Sequence, residues 1–214
     1  NSWSVSSTDE TLGLVYVPMG VATPDYYGGE RNEAARKFSN AILALDNKTG
    51  QLRWMFQTVH HDIWDYDIAS QPVLTDFPVN GKPVPALISI AKTGDAFVLD
   101  RRTGTPLSRI VEKKVPGQAG PGEHASPTQP LSVDMPDFAG QRLTEKQMWG
   151  LTPFDQLWCR IEFKSLRYDG RYTPPSLQGS IQYPGFAGGV NWGAFSIDAR
   201  NNLLVVSSNR LPTK

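Results

Sequence analysis

LDNKTG at residues 45–50 and LDRRTG at residues 99–104 are two copies of one sequence unit, 54 residues apart. In each copy a strand-like run ends at the leucine, and the aspartate side chain can accept hydrogen bonds from the backbone of the turn that follows. The glycine supplies the positive φ that a tight turn needs before the next strand. The sequence therefore predicts one β-hairpin unit that is used twice.

Short runs rich in β-branched and aromatic residues surround both units, and turn residues separate them. The 19 glycines and 17 prolines of the chain favour many short strands over long helices. The best helix candidates are residues 30–38 and 144–149, which we interpret as additions to loops. The pattern predicts an all-β fold with strands at 12–17, 41–45, 53–56, 86–90, 96–99 and 203–206.

A second repeat links the two ends of the chain. Trp3 precedes Asp9 by six residues and a strand-like run by eleven, and Trp192 stands in the same relation to Asp198 and to residues 203–206. Hairpin units that recur about every 40 to 50 residues are typical of β-propellers. We expect a propeller of about three blades, with hairpins at 41–58 and 86–110, a long irregular insertion at about 113–189 and a further blade from 190.

The composition excludes two classes of function. The 214 residues carry 21 basic and 21 acidic side chains, and a net charge of zero gives no electrostatic reason to bind nucleic acid. The apolar runs are far shorter than the roughly 20 residues that cross a bilayer. Cys159 is the only cysteine, so neither an intrachain disulfide nor a cysteine-rich zinc site can form.

The densest group of polar and aromatic residues is HHDIWDYD at 60–67, which should form a loop at one rim of the propeller. Its three carboxylates and two imidazoles are costly to desolvate unless they are paired, hydrogen-bonded or bound to a metal. One interpretation is a general base or an oxygen-ligated cation site. The alternative is a solvated turn whose aspartates cap the backbone.

The two adjacent histidines do not favour zinc. His60 and His61 are neighbours on an extended segment, so their side chains point to opposite faces and cannot chelate one ion without distortion. His124, the third histidine, stands alone in a predicted loop. We therefore expect no zinc site.

Lys92 ends the strand-like run 86–91, at the rim position that corresponds to Asp65 in the preceding unit. Both side chains are therefore candidates for one central site, and a solvated lysine at a strand end is the alternative. Trp3 and the pair Asn191-Trp192 occupy equivalent places in the other repeat. An indole there either packs between blades or offers its face to a flat cofactor.

No glycine-rich dinucleotide motif, P-loop or GxSxG motif is present, so redox chemistry would need another kind of cofactor. The chain instead resembles the membrane-bound quinoprotein dehydrogenases that use pyrroloquinoline quinone (PQQ), in particular the glucose and the quinate/shikimate dehydrogenases. The resemblance runs from Asn1 to Lys214. It is carried by HHDIWDYD, AKTGDAFVLDRRTG, EHASPTQP, MWGLTPFDQLWCRIEF and RYTPPSLQG.

This resemblance implies a role for each candidate residue. Asp65, the aspartate of the WD pair, matches the catalytic base and is also a candidate oxygen ligand for Ca²⁺ or Mg²⁺. Lys92 matches the lysine that contacts the quinone oxygens of PQQ, and Trp3, Asn191 and Trp192 match residues at the cofactor site. Beside a cation, Asp65 should have a depressed pKa and stay ionised.

The family further implies oxidation of a sugar or cyclic polyol, with electrons passed to ubiquinone at the periplasmic face of the bacterial inner membrane. Asn191 stands where the glucose enzymes tend to have an acidic residue, and Ser207 where they have an asparagine. These departures count against glucose, and quinate or shikimate is the alternative substrate. An alternative of another class is a non-catalytic propeller scaffold, which would need neither the 60–67 cluster nor Lys92.

The chain begins at Asn1 and ends just after a strand-like run, which predicts a piece of a longer protein. About three blades cannot close a ring and would leave strand edges exposed. The resemblance implies an eight-bladed propeller whose other blades, together with a membrane anchor, lie outside these 214 residues.

Overall fold

The computed structural model describes residues 1–201 and 203–214, and most of its elements are antiparallel strands. There are two α-helices, α1 (Glu33–Phe38) and α2 (Pro153–Ser165), and a 3-10 turn at Glu145–Gln147 in these residues. The strands are β1 (Ser7–Asp9), β2 (Leu14–Pro18), β3 (Ala41–Asp46), β4 (Leu52–Gln57), β5 (Val73–Val79), β6 (Lys82–Ile90), β7 (Ala96–Asp100), β8 (Ile110–Lys114), β9 (Thr128–Ser132), β10 (Phe195–Asp198) and β11 (Leu203–Val206).

The strands form small sheets of sequential neighbours, as the blades of a propeller do. The first sheet has the order β1-β2-β3-β4 and the second the order β5-β6-β7. A bridge between Leu99 and Pro106 stands beside β7, where a fourth strand of the second sheet would lie. Two further antiparallel pairs are β8-β9 and β10-β11. The number of blades that these sheets represent stays a prediction.

The two LDxxTG units form the turns that their sequence predicts. Oδ1 of Asp46 accepts hydrogen bonds from the backbone amides of Lys48 and Thr49, at 3.0 and 2.9 Å. Asp100 accepts in the same way from the amide of Arg102, at 2.9 Å. Gly104 has φ 75°, and a Cβ atom there would lie 2.6 Å from the Trp54 ring, so only glycine fits.

The second LDxxTG turn also joins the first two sheets. The carbonyl oxygen of Arg101 accepts hydrogen bonds from the Tyr16 hydroxyl, at 2.8 Å, and from Nε1 of Trp54, at 3.2 Å. Its guanidinium pairs with Asp9 at 2.7 Å. Around these contacts lies one apolar cluster shared by both sheets, formed by Leu14, Tyr16, Ile42, Ala44, Trp54, Ile68, Leu87 and Leu99.

The repeat at the two ends of the chain has the same register in both copies. Asp9 pairs with Leu14 across β1 and β2, and Asp198 pairs with Leu203 across β10 and β11. Phe195 of β10 packs with buried residues of β6 and β7, so the last strand pair covers the second sheet. The first sheet, the second sheet and the β10-β11 pair thus pack against one another in that order.

The helices differ in how well the sequence predicts them. α1 lies inside the predicted segment 30–38, and Asn32 caps its first turn. The predicted segment 144–149 contains only the 3-10 turn. Helix α2 was not among our predicted helices, although Thr152 and Asp155 form a capping box at its start and Pro153 occupies its first turn.

The long insertion is ordered by its aromatic residues. Tyr172 joins a buried cluster with Trp64 and Tyr66, and Tyr183 joins a second one with Leu143 and Ile181. The insertion therefore packs against the loop that carries residues 60–67. Within residues 1–201 and 203–214, no helix has both the length and the apolar character needed to cross a bilayer.

Candidate active site

The loop at residues 60–67 is built around the buried carboxylate of Asp62. This carboxylate accepts hydrogen bonds from the backbone amides of Trp64 and Tyr66, at 2.8 and 2.7 Å, and from the side-chain amide of Asn40, at 2.8 Å. Burial raises the pKa of Asp62 to about 6, and the two amide donors act against that increase. Asp62 therefore has a structural role, because its hydrogen bonds fix the conformation of the loop.

Two aromatic residues fix the loop to the insertion. Nε1 of Trp64 donates to the carbonyl of Thr173 at 2.7 Å, and the Tyr66 hydroxyl donates to the carbonyl of Pro184 at 2.8 Å. Both side chains are fully buried. Asp65 lies between them with φ 61°, a left-handed conformation that non-glycine residues rarely adopt outside constrained sites. The insertion thus holds the residues on both sides of Asp65 in place.

Lys92 brings two carboxylates of this loop together. Its Nζ lies 3.0 Å from Oδ2 of Asp65 and 3.0 Å from Oδ2 of Asp67, and its side chain is 5% exposed. The backbone of Lys92 is held on both sides, because its amide donates to the carbonyl of Asp67 and its carbonyl accepts from the amide of Gly189. This ion-paired triad of Asp65, Asp67 and Lys92 brings Asp65 and Lys92 together, as we expect for one site, although the strands that precede them, β4 and β6, are not equivalent in the repeat.

Trp3 and Asp67 complete the group. Nε1 of Trp3 donates to Oδ2 of Asp67 at 3.2 Å, and the Lys92 ammonium lies 5.6 Å from the centre of a Trp3 ring, within cation–π range. Asp67 also accepts from the backbone amide of Val21, at 2.5 Å. The Trp3 side chain is 48% exposed, so its indole is accessible to a ligand.

The protonation states of the triad follow from burial and charge. Burial raises the pKa of Asp65 to about 7, while Lys92 acts to lower it and Asp67 to raise it. Burial also acts on Asp67, but Lys92 and the Val21 amide outweigh it and hold the pKa of Asp67 below its usual range. The pKa of Lys92 is raised, because its two carboxylate partners outweigh its own burial. The expected depression of the pKa of Asp65 concerns a bound metal cation; among the protein's own groups, burial outweighs the Lys92 ammonium and the pKa is raised.

The structure does not bring all the predicted residues together. Asn191 donates to the carbonyl of Ala187 at 2.7 Å, and the Trp192 side chain is 78% exposed. Across the described part of the chain, no hydrogen bond or ion pair joins either residue to Asp65 or Lys92. They follow Gly188 and Gly189, which contact Lys92, after one intervening residue, Val190.

Asp67 is the site residue that our candidates lacked. The signal for it in the sequence is its membership of the acidic cluster at 60–67, because Asp65, with φ 61°, does not lie on an extended segment whose alternation would pair the two residues. Both carboxylates nevertheless reach Lys92.

A match over the full length of the chain shows its family. Residues 1–214 match the family model described as "PQQ: Glucose/ethanol/alcohol dehydrogenase, beta-propeller domain". The chain belongs to this family. Its sheets are accordingly parts of a PQQ β-propeller domain, which confirms the all-β propeller that the repeats predict.

Characterised relatives match almost the whole chain. It is 46% identical over 212 residues to the quinate/shikimate dehydrogenase (quinone) of Acinetobacter baylyi. It is 48% identical over 215 residues to the glycerol dehydrogenase large subunit of Gluconobacter oxydans, and 47% identical over 213 residues to the quinoprotein glucose dehydrogenase of the same organism. Each match covers 99% of this chain but only 26–29% of the relative.

A solved structure has the same fold. The quinohemoprotein alcohol dehydrogenase of Comamonas testosteroni superposes with a TM-score of 0.59, at 21% identity, over 98% of this chain and 26% of that protein. At this identity the likeness concerns the fold alone.

Trp3, Lys92 and Asp65 fit the chemistry of the cofactor. PQQ is a flat, tricarboxylated ortho-quinone, so its site needs an aromatic surface and a cation. The accessible Trp3 indole and the Lys92 ammonium supply both, within cation–π distance of each other. Asp65, 18% exposed at its side chain, supplies a carboxylate at the same place.

Proposed function

We propose that this PQQ domain belongs to a dehydrogenase that oxidises a hydroxyl group of a sugar or cyclic polyol and passes the electrons to ubiquinone. One observation carries the proposal. In a chain of this family, the buried Lys92 ammonium is held 3.0 Å from each of two carboxylates, one of which has a pKa near neutrality.

Asp65, Lys92 and Asp67 each have a role in this reaction. PQQ, when bound, would supply the ortho-quinone that accepts a hydride, and with it both electrons, from the substrate carbon. Asp65 accepts the proton of the substrate hydroxyl as general base. Lys92 places a positive charge where negative charge develops on a quinone oxygen. Asp67, ionised and fixed by Trp3 and Val21, positions Lys92.

The aromatic residues bind rather than react. Trp3 offers its indole face to the flat cofactor, and Asn191 and Trp192 add a polar and an aromatic contact beside Lys92. The exposed surfaces of Trp3 and Trp192 leave room for such contacts. In this proposal they determine the affinity and the orientation of PQQ.

A divalent cation is the second cofactor in the proposal. Hard cations such as Ca²⁺ and Mg²⁺ take six or more oxygen ligands, and Asp65 offers one carboxylate for this purpose. The cation would polarise the quinone as a Lewis acid and favour the ionised form of Asp65. Its other ligands would come from outside the triad.

The substrate and the location are proposed on the names of the relatives and on the resemblance. Quinate or shikimate is the alternative to a glucose-type sugar, and the glycerol dehydrogenases extend the range to acyclic polyols. Ubiquinone as acceptor, the periplasmic face and a membrane anchor stay predictions.

A reconstitution experiment tests the activity. The complete protein, incubated with PQQ and Ca²⁺, should reduce an artificial electron acceptor when glucose, quinate or glycerol is added. Omission of PQQ or of the cation is the matched control, and either omission should abolish turnover. Failure to bind PQQ, measured by absorbance titration, would contradict the proposal and favour a non-catalytic scaffold.

Gly188→Ala tests whether the placement of Lys92 matters. Gly188 has φ 76°, and a Cβ atom there would lie 2.7 Å from Cγ and 3.0 Å from Cα of Lys92. Gly81 has the same φ but nothing within 4 Å, so Gly81→Ala is a matched control. Each alanine costs about 1–2 kcal/mol for the left-handed backbone, but only Gly188→Ala displaces Lys92.

We therefore expect Gly188→Ala to weaken PQQ binding by roughly 10-fold and Gly81→Ala to leave it unchanged. Absorbance titration of both variants measures the difference, and thermal unfolding reports the shared backbone cost. Equal PQQ affinities in the two variants would show that the cofactor does not depend on the position of Lys92.

A further inference from the structure

A second cluster of metal-ligating side chains lies outside the triad. His61, Glu123 and His124 each offer one ligand atom, and these three atoms lie within 4.8 Å of one another. The side chains of His61 and Glu123 are 9% and 6% exposed, and that of His124 is 54% exposed. The cluster is thus buried on two sides and open on the third.

The separations are close to those of a tetrahedral metal site. Nε2 of His61 lies 2.9 Å from Oε1 of Glu123, and Nδ1 of His124 lies 3.6 Å from the same oxygen. Bonds of about 2.0–2.1 Å around a tetrahedral ion place its ligand atoms roughly 3.3–3.4 Å apart. Both separations are within a few tenths of an ångström of that value. The rings of His61 and His124 are stacked with centroids 3.8 Å apart, so the exposed His124 ring must also rotate for both imidazoles to face one ion.

Backbone groups already orient the central carboxylate. Oε2 of Glu123 accepts from the amide of Gly28, and Oε1 accepts from the amide of His124 at 2.8 Å. Such outer hydrogen bonds fix a ligating carboxylate and strengthen a metal site. Three loops meet here, because Gly28, His61 and Glu123 belong to separate segments of the chain.

The donor set selects the class of ion. Two imidazoles and one carboxylate suit zinc and the neighbouring transition metals, whereas Ca²⁺ and Mg²⁺ prefer oxygen ligands alone. Three protein ligands leave a fourth position for water, as in zinc sites with an open coordination position. The exposed side of His124 is where that position would face.

We propose that His61, Glu123 and His124 bind one divalent transition-metal ion of the zinc class. The ion ties the segments of Gly28 and Glu123 to the loop that carries Asp65. His60 and His61 do not act as one pair of ligands, because the structure directs their rings to different partners. His60 turns away, with its ring nitrogens 2.7 Å from Gln57 and 3.0 Å from Glu112.

Zinc titration of the complete protein tests this site. The protein is treated with a chelator, loaded with PQQ and excess Ca²⁺ so that oxygen sites are filled, and titrated with Zn²⁺ against a chromogenic zinc indicator. We expect one saturable equivalent per chain. His124→Ala should weaken its binding by at least about 100-fold, since even the loss of an outer-shell contact costs 10- to 100-fold.

His60→Ala is the matched control, since it removes the neighbouring imidazole without touching the cluster. It should leave zinc affinity within about 3-fold. Co²⁺ in place of Zn²⁺ should give the intense visible bands of a four-coordinate ion in the wild type and in His60→Ala, but not in His124→Ala. Absence of saturable zinc binding in the wild type, equal affinity in His124→Ala, or an equal loss in His60→Ala would each overturn the proposal.

Discussion

Asp65→Asn should lower the kcat of the reconstituted protein by about 10²–10⁴-fold, the usual contribution of a general base. Asparagine has nearly the same shape and keeps an oxygen that can accept from Lys92 and bind a cation. It cannot take up the proton of the substrate hydroxyl. The variant should therefore bind PQQ with an affinity within a few-fold of the wild type.

Asp67→Asn distinguishes the two carboxylates that contact Lys92. Asp67 is held by three donors, namely Lys92, Trp3 and the amide of Val21, and its pKa lies below its usual range. It is therefore a poor proton acceptor and a good counterion. We expect Asp67→Asn to weaken PQQ binding and to affect kcat at saturating PQQ less than Asp65→Asn does.

The measurement is steady-state kinetics with PQQ and cation at saturation, together with a PQQ titration of each variant. Asp76→Asn, at an exposed position of β5, controls for the loss of a carboxylate elsewhere. Asp65 would not be the base if Asp65→Asn kept full kcat, or if Asp67→Asn lost kcat more strongly than Asp65→Asn.

Local signals in the sequence predict the hairpins well and α2 poorly. The LDxxTG turns depend on contacts within a few residues, such as those of Asp46 with Lys48 and Thr49, and such contacts can be inferred from a motif. Helix α2 has its own local signals, but Leu157 and Trp158 on its apolar side are exposed. Because the described chain does not bury these apolar residues, the pattern of burial does not distinguish α2 from the surrounding loops.

The sequence predicts that Asp65 and Lys92 share a site, but the repeat does not explain how they meet. Asp65 follows β4, which comes after the first LDxxTG turn, whereas Lys92 follows β6, which comes before the strand that ends at the second LDxxTG turn. The contact of His61 with Glu123 joins residues 62 apart, through a loop whose path no repeat specifies. Such a contact depends on how the insertion packs, and the insertion has no internal copy to compare with.

Lys92→Ala should weaken PQQ binding by at least about 30-fold, since truncation of one partner of a buried charge pair costs 2–5 kcal/mol. The Lys92 side chain is 5% exposed, so its interaction with a bound anion is weakly screened by water. PQQ brings three carboxylates to a site that already contains Asp65 and Asp67. Without the ammonium, these negative charges repel the cofactor.

The same substitution leaves two carboxylates without their cation, at a cost of about 3–5 kcal/mol in the free energy of unfolding. Lys92→Ala therefore needs companions that separate binding from folding. Lys92→Met combined with Asp67→Asn removes the buried cation and one anion together, so the fold should lose less stability. Lys48→Ala, in the exposed turn after β3, is the control for a lysine far from the triad.

PQQ titration followed by absorbance, with thermal unfolding of each variant, gives both quantities. We expect the double variant to be folded and to bind PQQ at least about 30-fold more weakly than the wild type, with Lys48→Ala unchanged in both measurements. The reason is that Asp67→Asn relieves the repulsion inside the protein but does not replace the positive charge that faces the cofactor. If the folded double variant bound PQQ as tightly as the wild type, Lys92 would only be the counterion of its two aspartates, and the site would hold PQQ by other means.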